Sequence, residues 1–280
     1  EMIIDSHCHI FPESFQDRRT RLTQLDKSFK SLFENPKASL HTTQQLIADM
    51  DRDCVDVSVI MGIGWTDKNV GKEANDYIIQ SVKEYPERLV GFCSINPLWG
   101  HQALQEIERC IADGLKGIGE LHPDTQNLDI TDKKIMEPVM NSALHLGLPL
   151  VIHSSEPVGH SYAGKGNTTP DKLLAFINNF PDNKIICAHW GGGLLFYELM
   201  PEVNQNLENV YFDTAASPFL YDQRIFNVVS SLTDSERILL ASDYPLIPHR
   251  RISNQLDNSS LNEKQKSDIR GGNARILLNL

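Results

Sequence analysis

His7 and His9 stand two residues apart in an apolar, β-branched run at residues 2–10. A strand would turn both imidazoles to one face with Cα atoms about 7 Å apart, close enough to share one metal ion, and would send Cys8 outward. A lone His-X-His pair is weak ground for a metal site, but three further runs end on metal-competent side chains. They are Leu-Pro-Leu-Val-Ile-His153, Lys-Ile-Ile-Cys-Ala-His189 and Ile-Leu-Leu-Ala-Ser-Asp243. A fourth, Gly-Ile-Gly-Glu120-Leu-His122, adds a carboxylate and, two residues on, another imidazole on the same face. Singly, His153 or His189 reads as a hydrogen-bonded core histidine and Asp243 as a loop cap. Together, six donors at strand ends point to a divalent cation, Zn2+ before Mn2+, as one or two ions. Such a cation lowers the pKa of coordinated water toward 7 and polarises a carbonyl.

Eight short runs must position these groups: residues 2–10, 54–61, 89–95, 115–121, 148–153, 184–189, 209–214 and 237–243. Their starts are 25 to 52 residues apart, room for a crossover helix each time, so the strands should be parallel. Helical periodicity fills the gaps at 42–53, 69–85, 102–113, 131–146 and 170–180, with Thr42 and Thr131 as N-cap candidates and Gly114 and Gly147 just past helix ends. Eight such units close into one (β/α)8 TIM barrel over residues 1–280, an α/β fold whose C-terminal strand ends carry the active site. A doubly wound sheet would more often show a glycine-rich turn after its first strand, where this chain has His7-Cys8-His9. The stretch from about 11 to 41 is too long for an ordinary barrel loop and is expected as an insertion near the active-site mouth.

The chain of 280 residues carries a formal charge of −11, from 37 acidic and 26 basic side chains, which disfavours a polyphosphate partner. No apolar stretch reaches the roughly 20 residues that span a bilayer, and Asp5, His7 and His9 stand where a signal peptide needs an apolar core. The expected location is the cytoplasm. Five scattered cysteines without a Cys-X-X-Cys pair read as reduced core residues.

His7-Cys8-His9, His153, the stretch Ala188-His189-Trp190-Gly191-Gly192-Gly193 and Ser242-Asp243-Tyr244-Pro245 resemble the amidohydrolase superfamily along essentially the whole chain. The Ile4-Asp5-Ser6 opening and the closing Gly-Gly-Asn-Ala-Arg helix are similar to its "amidohydrolase 2" branch, which holds metal-dependent hydrolases and decarboxylases related to aminocarboxymuconate semialdehyde decarboxylase. The resemblance implies a TIM barrel and a metal held by His7, His9, His153 and Asp243, with His189 as ligand or catalytic base. Binuclear relatives often bridge their ions with a carboxylated lysine at strand four. Here Glu120 takes that place, in the manner of the TatD-like hydrolases. Homodimers occur among such relatives, so a homodimer is compatible with the resemblance.

The leading expectation is a hydrolase acting on an amide, ester or lactone of a small molecule, with Asp243 accepting a proton from water and returning it to the leaving group, and His189 polarising the carbonyl. The alternatives are a nonoxidative decarboxylase of a small carboxylic acid and a barrel that binds metal without turnover. Asp5 has two readings of equal weight: it accepts the second ring N–H of a ligand histidine, or it is a structural aspartate within a barrel layer. His122, Trp65, Trp190 and Arg250 are the substrate-binding candidates, with Arg18, Arg19, Arg21 and Arg251 as further cations for a carboxylate.

Overall fold

The eight strands run in one parallel sheet in the order of the sequence: β1 (Ile4–His9), β2 (Val57–Met61), β3 (Leu89–Cys93), β4 (Gly117–Leu121), β5 (Leu150–Ile152), β6 (Ile185–Cys187), β7 (Val210–Asp213) and β8 (Ile238–Leu239). This computed structural model describes residues 2–280. Nearly every strand residue is buried on both faces, as parallel strands walled by helices require. The last strand meets the first through backbone bonds from Ser6 N to Leu240 O (2.8 Å) and from His9 N to Tyr244 O (2.8 Å), which close a (β/α)8 barrel.

Alternate residues divide the core. Ile4, Val57, Val59, Phe92, Val151, Ile186 and Leu239 fill the barrel, plugged at its N-terminal end by Ala274, Leu277 and Leu278 of the helix Asn273–Leu278. Cys8, Ile60, Cys93, Ile118, Ile152 and Cys187 face the helical layer instead. That layer includes α4 (Thr43–Asp53), α5 (Lys68–Glu84), α6 (His101–Ala112), α7 (Lys133–Leu146) and α8 (Pro170–Asn179). α6 shows why these segments are helices, burying Ala103, Ile107 and Cys110 at one-turn spacing. Thr42 caps α4 in a capping box with Gln45, and Gly147 ends α7 in the left-handed conformation. The cap of α7 is Asp132 rather than Thr131, because the Asp132 carboxylate reaches Lys134 N (2.9 Å).

The segment at about 11–41 folds into α1 (Glu13–Asp17), α2 (Arg19–Leu25) and α3 (Lys27–Phe33). Phe11, Phe15, Leu22, Phe29 and Phe33 pack around Trp65 from the loop after β2 and form a core of their own. Asp26 joins this unit to the barrel. It caps α3 at Phe29 N (2.8 Å) and accepts from Thr66 N (2.7 Å) and Asp67 N (2.8 Å), all while buried. Asp26→Ala would leave three donors without an acceptor and is expected to cost about 3 kcal/mol. Urea denaturation measures it, and a loss below about 1 kcal/mol would show that Asp26 does not anchor the insertion.

Candidate metal centre

The C-terminal strand ends bring His7, His9, Glu120, His153, His189 and Asp243 together. His7 and His9 project from β1 and Glu120 from β4, while His153 follows β5 directly. His189 and Asp243 lie beyond β6 and β8, in turns where they adopt φ of 56° and 69°. Left-handed backbone is uncommon for such residues and is concentrated at functional turns. For Asp243 the turn is fixed by its own N–H, which donates to His7 O (3.0 Å). Beyond His189, a Cβ on Gly192 would lie 2.3 Å from Ser155 O, so only glycine lets the β6 turn close onto the β5 loop.

Each of the four imidazoles donates one ring N–H away from the centre. His7 Nδ1 donates to Asp213 Oδ2 (2.8 Å), His9 Nδ1 to Met61 O (3.2 Å), His189 Nδ1 to Ala215 O (2.9 Å) and His153 Nε2 to Lys165 O (2.8 Å). A carbonyl or carboxylate can only accept, so these bonds fix the tautomers. The other ring nitrogens then converge as lone pairs: Nε2 of His7 and His9 are 3.1 Å apart, and His189 Nε2 and His153 Nδ1 are 3.2 Å apart. Glu120 joins the two pairs. Its Oε2 lies 3.3 Å from His7 Nε2 and 3.4 Å from His9 Nε2, while Oε1 lies 3.0 Å from His153 Nδ1. Asp243 Oδ1 is 3.3 Å from His9 Nε2.

Lone pairs and carboxylates this close repel unless positive charge sits among them, so the donor set fits a divalent cation. With protons as the only cations, the imidazoles themselves are drawn to ionise. Burial opposes the charge on His7, yet Asp213 and Glu120 hold its pKa well above the ordinary histidine range. Burial opposes it on His9 as well, and hydrogen bonds with Asp243 and Glu120 raise that ring to about 9. The side chains of Asp243 and His9 are the most open of the six, at 15% and 10% exposed, so the mouth lies on their side.

The other candidates are spread more widely. His122 stacks on His153 with ring centroids 4.2 Å apart and donates from Nε2 to Gly164 O (2.7 Å); burial and His153 lower its pKa to about 4. Trp65 is fully buried in the core of the insertion, stacked on Phe29. Trp190 is fully buried too, bonded to Ser217 Oγ (2.9 Å) and packed edge-on against Phe226. Arg250 is exposed at the start of the helix His249–Asp257, where its backbone N–H meets Asp53 of α4 (3.3 Å). Its neighbour Arg251 lies over the Phe219 ring in the loop after β7 (4.9 Å). Arg18 pairs with Glu73 (2.5 Å), and Arg19 holds the carbonyls of Phe33, Asn35 and Ala38. Asp5 does not meet a ligand ring. A bulge between Asp5 and Cys8 breaks the alternation of β1, and Asp5 bonds Ser242 N (2.9 Å) and the His249 ring instead. Asp213 takes the role of ring acceptor; it is the last residue of β7 and lies one position before the end of the seventh run, where a carboxylate near a strand end was the available sign.

Two measurements test this electrostatic picture. Asp213→Asn keeps an oxygen for the N–H groups of His189 and Ala215 but loses the charge behind His7; metal affinity should fall tenfold to a hundredfold with the fold intact. Titration calorimetry reads it, and unchanged affinity removes Asp213 from the centre. In metal-stripped protein, the stabilisation from a protonated His9 is complete below the unfolded pKa of about 6.5 and is lost as pH rises through about 9. Chelated protein should therefore lose stability between those limits, His9 contributing up to about 3 kcal/mol, and metal should restore it. A flat profile in chelator would contradict the assignment.

Comparison with known proteins places this centre in context. The chain is similar over 99% of its length to 2-amino-3-carboxymuconate-6-semialdehyde decarboxylase of Dictyostelium discoideum, at 24% identity and covering 91% of that protein. It is similar over its full length to gamma-resorcylate decarboxylase of a Polaromonas species, at 21% identity and 95% coverage. Among solved structures, 5-carboxyvanillate decarboxylase of Novosphingobium aromaticivorans, complexed with manganese and 4-hydroxy-3-methoxy-5-nitrobenzoic acid, superposes with a TM-score of 0.82 at 19% identity, covering 100% of this chain and 96% of that one. The family model described as amidohydrolase matches residues 4–280, and the chain accordingly belongs to the amidohydrolase family.

Proposed function

We propose that this protein is a metal-dependent, nonoxidative decarboxylase of a small carboxylic acid. The observation that carries the reading is the full-length similarity to two decarboxylases, together with four imidazoles gathered around a shared carboxylate. Hydrolysis, the leading expectation from the motifs, becomes the second reading. What favours it is Glu120, whose two oxygens face separate donor pairs in the manner of a bridge between two ions.

A bound divalent cation supplies the Lewis-acid charge that attracts and polarises the substrate carboxylate. His7, His9 and His189 would hold it through Nε2 and His153 through Nδ1, with Glu120 and Asp243 balancing charge. The manganese-bound neighbour makes Mn2+ as strong a candidate as Zn2+. Loss of CO2 breaks a carbon–carbon bond and leaves the electron pair on carbon, which must then take a proton. His189 is unsuited to give it, because its one ring proton is held by Ala215 O. Asp243 is the better carrier: its carboxyl is the most open of the six groups. Burial raises its pKa, but His9, His7 and His189 outweigh burial and lower it. It rests as the anion and must take a proton from the open side before passing it to carbon.

Manganese-loaded protein should release CO2 from one or more hydroxybenzoates, 2,6-dihydroxybenzoate included, in proportion to acid consumed. Chelator should stop the reaction, and Asp243→Asn should slow it at least about a hundredfold. Cleavage of amide or lactone substrates without any CO2 release would replace this reading with hydrolysis, and two ions per chain in that protein would fit the Glu120 bridge.

A further inference from the structure

The loop between β5 and α8, residues 154–169, lies against the metal centre and is shaped largely by its own backbone. Lys165 O and Gly164 O accept from the rings of His153 and His122, Ser155 and Thr168 bond to one another, and Lys165 Nζ turns back onto the carbonyls of Val158 (2.9 Å) and His160 (3.0 Å). The loop's lysine is thereby engaged within the loop.

Glu156 is the part of this loop that shaping does not explain. Its Oε2 accepts from the Tyr162 hydroxyl (3.4 Å), while its Oε1 is shielded from solvent and has no partner at hydrogen-bond distance, the Tyr221 hydroxyl being the other donor turned toward this carboxylate. An acceptor left buried and unpaired costs on the order of 1–3 kcal/mol, which a bound donor would recover. Tyr221, from the loop after β7, faces the same place; its hydroxyl lies 3.6 Å from the position a Cβ on Gly193 would take, in the turn that carries His189. Burial and the charge of Glu156 raise the pKa of both tyrosines, and Tyr162 also feels Asp243 and Glu120, as expected for a group at the mouth of the centre.

We propose that Glu156, positioned by Tyr162, is the specificity-determining acceptor for the far end of the substrate. The substrate class is then a small monocarboxylic acid carrying a hydroxyl or ammonium group at the end remote from its carboxylate. This assignment rests on the decarboxylase reading for the carboxylate end. A second carboxylate at the far end would meet the Glu156 charge at close range and be rejected.

The test is calorimetric binding to manganese-loaded protein, with benzoate, 3- and 4-hydroxybenzoate, 3-(aminomethyl)benzoate and isophthalate as probes. In the native chain at least one donor-bearing acid should bind tenfold or more tightly than benzoate, and isophthalate tenfold or more weakly. Glu156→Gln should retain the hydroxyl preference and abolish the ammonium preference and the isophthalate penalty; Glu156→Ala should reduce all these ratios to within about twofold of one. The same ratios in the native chain and in Glu156→Ala, or no donor-bearing acid binding more tightly than benzoate, would overturn the assignment. Binding needs no turnover, so absent CO2 release with these ratios intact would remove the decarboxylase reading alone and leave Glu156 as the acceptor.

Discussion

The constraint on which the rest of the structure depends is electrostatic. Four imidazoles are each held from behind by an oxygen, so that their inward ring nitrogens and two carboxylates are pressed into one space. Such an arrangement is unfavourable for the chain alone. It persists because the barrel over-determines it: the anchors are a buried aspartate and backbone carbonyls belonging to β2, the β5 loop and the segment after β7. Positive charge at the centre turns this strain into affinity, the usual exchange at a site formed before its ligand arrives. The Asp213 carboxylate adds to the effect, since charge behind Nδ1 makes His7 Nε2 a stronger donor.

Glu120 gives the centre a choice that its histidines alone would not. A carboxylate in contact with both imidazole pairs can bridge two ions, or can serve one ion and balance its charge. The same six side chains are compatible with either occupancy. The difference in chemistry must therefore come from what surrounds them, and the surroundings here are the insertion and the β5 loop. The two are joined: a Cβ on Gly164 would strike Leu32 of α3, so the backbone that caps His122 rests directly on the insertion. The core around Trp65 thus bears on the site.

The sequence carried the architecture because strands buried on both faces are written as continuous apolar runs, and a ligand that ends a run is visible by position alone. Its limits are equally specific. β8 spans only Ile238–Leu239, since the chain beyond it joins β1 through irregular backbone, and the turn that aims Asp243 has no periodic signature. Alternation gave Asp5 the face of His7, and one bulge was enough to move Asp5 away from it. Asp213 and His7 are 206 positions apart, and their pairing depends on the register in which the barrel closes rather than on any local pattern. Glu156 and Tyr162 read as ordinary loop residues until the fold sets their loop against the centre.

Water separates the two reactions that such a centre could support. Hydrolysis needs a water held at the metal with a base beside it, whereas decarboxylation is helped when water is scarce. A carboxylate is most stabilised by hydration, and its charge disperses as CO2 departs, so a dry site raises the starting state more than the transition state. None of the six donors has a side chain more than 15% exposed, and backbone carbonyls of the β5 loop press directly on the rings of His153 and His122. The centre opens beside Asp243 and His9 and is otherwise enclosed by protein. Its enclosure therefore weighs on the side of carbon protonation, even where the donor set alone is neutral between the two chemistries.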